Sequence, residues 1–268
     1  MDIKVIIAAH KKYKIPTDEM YIPVHVGAAG KEKIEGFQRD DEGDNISELN
    51  PYFCELTGLY WAWKNLNSDY IGLVHYRRHF SLHPHSKDIW GAVLKRAEIE
   101  NELGKIKVFT PTKRKYYIET LYSHYAHTHY ASQLDETRRI IEEKYPDYLN
   151  SFDKAVNQRW GYMFNMMIME QRLFTGYCSW LFDILFELQD RIGKATEEHL
   201  DKFQGRFYGR VSEIIFNVWL LEQQKKGQIR KTQIREIPVI HMERIDWWKK
   251  GRAFLRAKFK GEKYKGSF

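Results

Sequence analysis

Residues 70–80 read YIGLVHYRRHF, and this stretch decides the fold. Tyr70 to Val74 form an unbroken apolar run, which is typical of a strand buried on both faces of an α/β sheet. Polar side chains follow at once, beginning with His75, Arg77 and Arg78. Because ligands of open α/β sheets bind outside the carboxyl ends of the strands, the sequence predicts a binding site at this point.

Arg77 and Arg78 indicate the chemistry of that site. Two adjacent guanidinium groups can hold a diphosphate through bidentate, charge-assisted hydrogen bonds. The alternative is an ordinary surface cluster in which the arginines pair with Asp69 or with glutamates. We favour the functional interpretation, because these arginines, His75 and His79 all follow a strand that is predicted to be buried.

Outward from this stretch, the chain alternates strands and helices, which predicts an α/β fold with a single mixed sheet flanked by helices. Further strands are expected at residues 4–9, 21–26, 108–110, 161–169 and 237–241. Helices are expected at residues 51–66, 116–144, 173–188 and 212–224, the first of them capped by Asn50. The polar stretch between Gly27 and Asp44 predicts a mobile surface loop.

The predicted organisation is one domain over residues 1–245, with a helical insertion at about 84–150 and a basic, aromatic tail at 246–268. In the tail, Trp247, Trp248 and Phe254 alternate with lysines and arginines. Such a mixture suits an anionic membrane surface, and a solvated basic tail is the equal alternative.

The composition bounds the possible partners. The 268 residues are 43% hydrophobic and 29% charged, which is ordinary for a globular protein, and the net charge of +7 favours an anionic partner. Only this charge suggests nucleic acid, since no zinc finger, helix-turn-helix or RNA-recognition signature is present. Cys54 and Cys178 lack the spacing of a disulfide framework or a zinc site. No apolar run is long enough for a signal peptide or a membrane span, so we expect a soluble, cytoplasmic protein.

Asp44 and Asn45 place two further polar side chains close to the predicted helix start at Asn50. Helix starts bind anions, and they also need capping groups. Asn50 alone explains the cap, so the pair Asp44 and Asn45 is left equally open to a functional and a capping role.

Two other motifs are open to functional and structural interpretations. His124, His127 and His129 are predicted to lie on one helix, where spacings of three and two residues do not match the helical zinc pattern. One of these histidines could be a general base or a sugar contact, and the alternative is that they are solvated or packed in the core. Glu213, at a predicted helix start, either caps that helix or acts as a base on an acceptor hydroxyl.

With YIGLVHYRRHF and GDNISELNPYFCELTGLYWAWKN together, the chain resembles a bacterial family encoded in capsular and exopolysaccharide loci. Members of this family, once a domain of unknown function, are described as glycosyltransferases and some as galactofuranosyltransferases. The resemblance runs from IIAAHKKY to RFYGRVSEIIFNVWL, which is nearly the whole chain. It implies a glycosyltransferase but does not specify donor or acceptor. The reaction we expect is transfer of galactofuranose or another hexose from a nucleotide-sugar donor to a lipid-linked polysaccharide precursor.

A wider resemblance is to GT-A-type transferases such as glycogenin and the lipopolysaccharide galactosyltransferases. In those enzymes the first strand opens the nucleotide site and an Asp-x-Asp motif holds a metal on the diphosphate. This sequence has His75-Tyr76-Arg77 where that motif would stand. We therefore expect no metal cofactor, with the arginines supplying the charge that a divalent ion would otherwise supply.

The expected roles follow from these similarities. His10, Lys11, His75, Arg77, Arg78 and His241 would contact the nucleotide or its diphosphate. Asn45, Asn165, His127 and His129 would contact the donor sugar or the acceptor. Glu213 would be the base, with Asp44 in reserve. The partners would be a UDP-sugar, a lipid-linked acceptor and an anionic membrane, but no nucleic acid. A carbohydrate- or nucleotide-binding module without catalysis is the alternative.

Overall fold

The computed structural model describes residues 1–193 and 199–243. They form two compact units, one built from residues 1–112, 164–179 and 226–243, the other from the described parts of 113–163 and 180–225. The strands are β1 (Ile3–Ala9), β2 (Tyr21–His25), β3 (Gln38–Arg39), β4 (Tyr70–His75), β5 (Arg78–Phe80), β6 (Val108–Pro111), β7 (Arg114–Lys115), β8 (Trp160–Gly161), β9 (Met167–Glu170), β10 (Ile234–Ile237) and β11 (Val239–His241). The α-helices are α1 (Asn50–Phe53), α2 (Leu56–Asn65), α3 (Arg96–Ile99), α4 (Leu121–Thr128), α5 (Ala131–Lys144), α6 (Leu149–Val156), α7 (Gln171–Leu188) and α8 (Phe207–Lys225).

The first unit contains a nine-stranded mixed sheet in the order β10-β6-β9-β4-β1-β2-β3, with β5 paired to β4 and to β11. β1 runs parallel to both β2 and β4, whereas β9 runs antiparallel to β4 and β6. The predicted α/β class, with a mixed sheet flanked by helices, is confirmed.

β4 lies at the centre of this sheet because its sequence suits complete burial. Tyr70, Ile71, Leu73 and Val74 are each at most 2% exposed. Burial of each of the three aliphatic side chains among them stabilises the fold by roughly 1.5–3 kcal/mol. Gly72 lets β9 approach closely, since a Cβ on it would lie 2.7 Å from the Met167 carbonyl oxygen. The sequence therefore places the end of β4 inside a rigid sheet.

The strand order changes direction at β1. From β1 the chain first builds β2 and β3 on one side, and it then returns to place β4 on the other side. The carboxyl ends of β1 and β4 thus lie next to each other at a topological switch point, where such sheets form a crevice. We call this the carboxyl edge.

The segment after β2 is more ordered than expected. It was predicted as a mobile loop, but it contains β3 and the buried Asp40. The Asp40 carboxylate accepts hydrogen bonds from the backbone N–H groups of Gly27 (2.8 Å) and Ala28 (2.9 Å). It also accepts from the hydroxyls of Ser47 (2.5 Å) and Thr57 (2.6 Å). A buried carboxylate with four donors fixes the backbone here.

The prediction of a single helix over residues 51–66 is wrong. Cys54 has a φ of 54°, which ends α1, and α2 starts at Leu56. Asn50 does not cap by its side chain from the N-cap position, because it is the first residue of α1. Its amide instead donates to the Cys54 carbonyl oxygen at 2.7 Å and holds the break.

Two predicted strands are also divided. The strand expected at residues 161–169 is interrupted at Phe164 (φ 78°) and Asn165 (φ 51°), a conformation that cannot continue a ladder. The strand expected at 237–241 divides into β10 and β11 around Pro238, which has no N–H to donate.

In the second unit, the helix predicted over residues 116–144 is two helices. Thr120 caps α4 by accepting a hydrogen bond from the Ser123 N–H, and the backbone is extended at His129 before α5 begins. α8 begins at Phe207 and not at Ser212, so Glu213 lies within the helix. Asn217 of α8 accepts from the Tyr162 N–H and donates to its carbonyl oxygen, which fixes that turn of the chain.

The domain boundary predicted at residue 245 and the tail at 246–268 lie outside the described residues, and the helical insertion at 84–150 stays a prediction. Within residues 1–193 and 199–243, every helix is too short or too polar to cross a bilayer.

Candidate functional site

The carboxyl edge is built around a strained turn. Phe164 and Asn165 are consecutive non-glycine residues with positive φ, a costly conformation that persists only where the surroundings enforce it. Two side chains do so. His75, at the end of β4, forms a 2.6 Å hydrogen bond from its Nε2 to the Phe164 carbonyl oxygen. Glu55, just before α2, accepts a 2.7 Å hydrogen bond from the Asn165 amide.

The protonation of His75 follows from this contact. Burial lowers its pKa, Glu55 raises it, and the neighbouring Arg78 lowers it again. The imidazole is therefore neutral near pH 7. Because a carbonyl oxygen only accepts, the proton lies on Nε2, and Nδ1 has the lone pair. His75 thus holds the strained turn in place and leaves the positive charge of the edge to the arginines.

The two predicted arginines both lie at this edge. The guanidinium of Arg78 lies over the Phe164 ring, 4.9 Å from its centroid, and that of Arg77 lies 5.2 Å from the centroid of Tyr76. Arg77 is 3.7 Å from the carboxylate of Glu243, and both side chains are about half exposed. An exposed pair of this kind contributes at most about 1 kcal/mol, so an anion with two phosphates can displace the carboxylate.

His10 and Lys11 follow β1 and reach the same edge. The His10 ring packs edge-on against Tyr76, with the centroids 5.3 Å apart, and the Lys11 ammonium is 5.6 Å from the Tyr76 centroid. Tyr13 also packs edge-on against Tyr76, with the centroids 4.9 Å apart, and donates a hydrogen bond to Glu243 at 3.3 Å. Burial and the Glu243 carboxylate raise the pKa of Tyr13, so it remains a neutral donor.

His241 also lies beside the arginines, on β11. It pairs with Arg78 of β5, and its ring is 6.3 Å from that of Phe164. The next residue, Met242, donates its N–H to the Arg77 carbonyl oxygen at 3.0 Å. The structure therefore brings together six of the predicted residues: His10, Lys11, His75, Arg77, Arg78 and His241. Asn165 joins them through the strained turn.

Sequence reasoning missed Glu55, Lys14 and Trp90 at or near this edge. The Lys14 ammonium lies 4.7 Å from the Trp90 centroid, and Trp90 packs against Tyr13 at 6.3 Å. The available signal was Lys14, five residues after the last residue of β1, but the distance of Lys14 from Trp90 along the chain concealed their contact. Together these residues make the edge cationic and aromatic, which is the chemistry that binds phosphates and stacks on a base or a sugar.

Asp44 and Asn45 are placed elsewhere. Asp44 contacts the Tyr60 hydroxyl at 3.2 Å and the Lys64 ammonium at 3.7 Å, near the carboxyl end of α2. That end of α2 leads into the start of β4, which is opposite to the carboxyl edge. The Asn45 amide donates to the carbonyl oxygens of Asp41 and Gly43 and shapes its own turn.

Glu213, His127 and His129 belong to the second unit. His129 is 8% exposed, and its Nδ1 lies 2.9 Å from the amide oxygen of Gln204. His127 and His124 each place Nδ1 2.8 Å from an oxygen of the buried Glu119 carboxylate, and these two bonds contribute to the lowered pKa of Glu119. Glu213 is partly buried, and its charge contributes to raising the pKa of the buried Tyr125, an effect that burial dominates.

Possible metal ligands are dispersed. Among residues 1–193 and 199–243, no three His, Cys, Asp or Glu side chains converge as a metal-binding group. The carboxylates described at the carboxyl edge are Glu55, one of whose oxygens accepts from Asn165, and Glu243, which pairs with Arg77 and accepts from Tyr13.

Comparison with known proteins gives one family and one solved structure. The model of the family described as "Domain of unknown function (DUF4422)" matches residues 4–225. A structure described as the apo form of the WbbM bifunctional glycosyltransferase is similar to this chain, with a TM-score of 0.79 and 28% identity. The likeness covers 91% of this chain and 46% of the other, so this chain spans about half the length of WbbM. No curated protein matches the chain.

Proposed function

The chain belongs to the DUF4422 family, and from that premise we propose that it is a glycosyltransferase acting on a nucleotide-sugar donor. The single observation that carries the proposal is the cationic, aromatic cluster at the switch point between β1 and β4. The likeness of the chain to a protein described as a bifunctional glycosyltransferase supports the same reaction class.

The donor in this proposal is a UDP-sugar, with galactofuranose or another hexose as the sugar that is transferred. The diphosphate binds Arg77 and Arg78, and Lys11 adds a third positive charge. Tyr76 and Tyr13 offer ring faces on which a base or ribose can pack. His10 and His241 border the nucleotide, and His241 can donate a hydrogen bond to a phosphate oxygen.

The reaction breaks the bond between the anomeric carbon and the diphosphate while an acceptor hydroxyl attacks that carbon. Negative charge develops on the leaving diphosphate, and positive charge develops on the sugar ring. Fixed guanidinium groups stabilise the leaving group most strongly when charge is fully developed, which lowers the barrier. This arrangement supports transfer without a metal ion.

The carboxylate that accepts the proton of the acceptor hydroxyl is proposed to be Glu213. The support is the resemblance of its segment, Ser212-Glu213, to that of GT-A transferases, although in this chain Glu213 lies inside α8 and not at its start, and is partly buried. Asn165, which is oriented by Glu55, is proposed to bind the donor sugar. The acceptor in this proposal is a lipid-linked precursor of a capsule or exopolysaccharide.

The test is release of UDP from a panel of UDP-sugars, since many transferases hydrolyse their donor slowly without an acceptor. We expect one UDP-sugar to be hydrolysed by the purified chain, and Arg78→Ala to reduce the rate by roughly 100-fold. Arg172→Ala is the matched control, because Arg172 is an exposed arginine just after β9, which ends beside the start of β4 and so at the opposite end of the sheet. Equal rates for the two variants, or no hydrolysis of any donor, would reject the proposal.

A further inference from the structure

The second unit carries an exposed apolar tip on its two-stranded ribbon. β7 and β8 pair with Arg114 opposite Gly161, and the chain leaves β7 through Tyr117 and Ile118. Tyr117 is 76% exposed and Ile118 is 64% exposed. Among the residues that the structure describes, no other two sequence neighbours are large hydrophobic residues exposed to this degree.

The backbone of the tip is held in place. The Tyr116 N–H donates to the Arg159 carbonyl oxygen at 2.8 Å, and the Arg159 guanidinium donates to the Tyr117 carbonyl oxygen at 3.2 Å. Tyr117 has a φ of 54°, which the paired neighbours on both sides maintain. The two apolar side chains are therefore presented to solvent by an ordered ribbon.

Cationic residues lie close to these side chains. Lys113, Arg114 and Lys115 lie two to four residues before Tyr117, with Tyr116 between, and Arg159 lies across the ribbon. The first acid that follows is Glu119, which is 3% exposed and binds two histidines, so it does not offset this charge at the surface. We call residues 113–118 together with Arg159 the basic tip.

We propose that the basic tip docks on an anionic lipid bilayer. Tyr117 and Ile118 would enter the boundary between headgroups and acyl chains, and the surrounding cations would meet the lipid phosphates. Ile118 argues for lipid over a sugar or a nucleic acid, because an aliphatic side chain gains little from either of those polar partners. The proposal rests on the basic tip and not on the transferase activity.

The test is co-sedimentation of the full chain with phosphatidylcholine vesicles, with and without phosphatidylglycerol. We expect binding only when phosphatidylglycerol is present. The charge-reversed variant Arg114→Glu/Lys115→Glu and the polar variant Tyr117→Ser/Ile118→Ser should each bind about tenfold more weakly or worse. Circular dichroism shows whether each variant retains its fold.

The controls make an equal change of charge and a single replacement of an exposed apolar side chain by serine elsewhere on the surface. Lys31→Glu/Lys33→Glu alters the net charge equally, and Ile89→Ser removes another exposed apolar side chain. Both controls should bind as the unchanged chain does. Tip variants that bind as well as these controls would overturn the proposal and assign the membrane contact to another segment. Equal binding to neutral vesicles, or no binding of the unchanged chain, would also overturn it.

Discussion

Replacement of Asp40 by alanine should destabilise the fold far more than loss of one surface charge. In the variant, the buried N–H groups of Gly27 and Ala28 lose their acceptor, at about 1–3 kcal/mol each. The hydroxyls of Ser47 and Thr57 can rotate, and Thr57 already lies 3.1 Å from another carbonyl oxygen. Since removal of a buried charge offsets part of the cost, we expect a net loss of about 3 kcal/mol.

The matched control is Asp41→Ala, at the next position. Asp41 is also an aspartate, but its carboxylate accepts from the side chain of Arg39, which keeps hydrogen bonds to two carbonyl oxygens, so its loss should cost about 1–2 kcal/mol. The measurement is the free energy of unfolding from urea titrations followed by circular dichroism. A loss of about 3 kcal/mol is a large part of the roughly 5–15 kcal/mol that stabilises a typical domain. The reasoning is refuted if the two variants unfold at the same urea concentration.

Three further predictions concern the carboxyl edge. Burial lowers the pKa of His79 from 6.5 to about 4, so its contribution to stability is full above pH 6.5 and is lost as the pH falls towards 4. In unfolding titrations, the unchanged chain should therefore lose about 2–3 kcal/mol more stability than His79→Phe when the pH is lowered from about 7 to 4.5. Asn165→Gly permits the positive φ but removes the amide that binds Glu55, and calorimetry should show about tenfold weaker donor binding with the fold retained; unchanged affinity would remove Asn165 from the site. Donor hydrolysis should persist in excess EDTA, because the arginines supply the charge, and a strict requirement for added Mn²⁺ would contradict metal-independent transfer.

The α/β class and the buried strands β1 and β4 could be predicted from the sequence, whereas two other predicted strands are divided in the structure. The apolar runs that become β1 and β4 predict buried strands, and the polar residues that follow each run meet because parallel neighbours end at the same edge. His10 and Arg77 could thus be placed together without any tertiary information.

The interruptions of the predicted helix at Cys54 and of the predicted strand at Phe164 and Asn165 could not be predicted in the same way. Cys54, Phe164 and Asn165 adopt positive φ because neighbouring groups enforce it, and residue preferences along the chain do not encode those neighbours. Asp40 was assigned to a mobile loop for the same reason, since its four donors come from residues 7 to 17 positions away. Glu55 was missed because its partner Asn165 is 110 residues distant.

The most direct measurement of the central claim is calorimetric titration of UDP into the unchanged chain and into Arg77→Ala/Arg78→Ala. The control is Lys105→Ala/Arg172→Ala, which removes the same charge from exposed residues near the opposite end of the sheet. The variant Arg77→Ala/Arg78→Ala should lose about 3 kcal/mol of binding free energy, roughly a 100-fold weaker affinity, while the control binds as the unchanged chain does. Equal affinity of all three proteins for UDP would contradict the central claim.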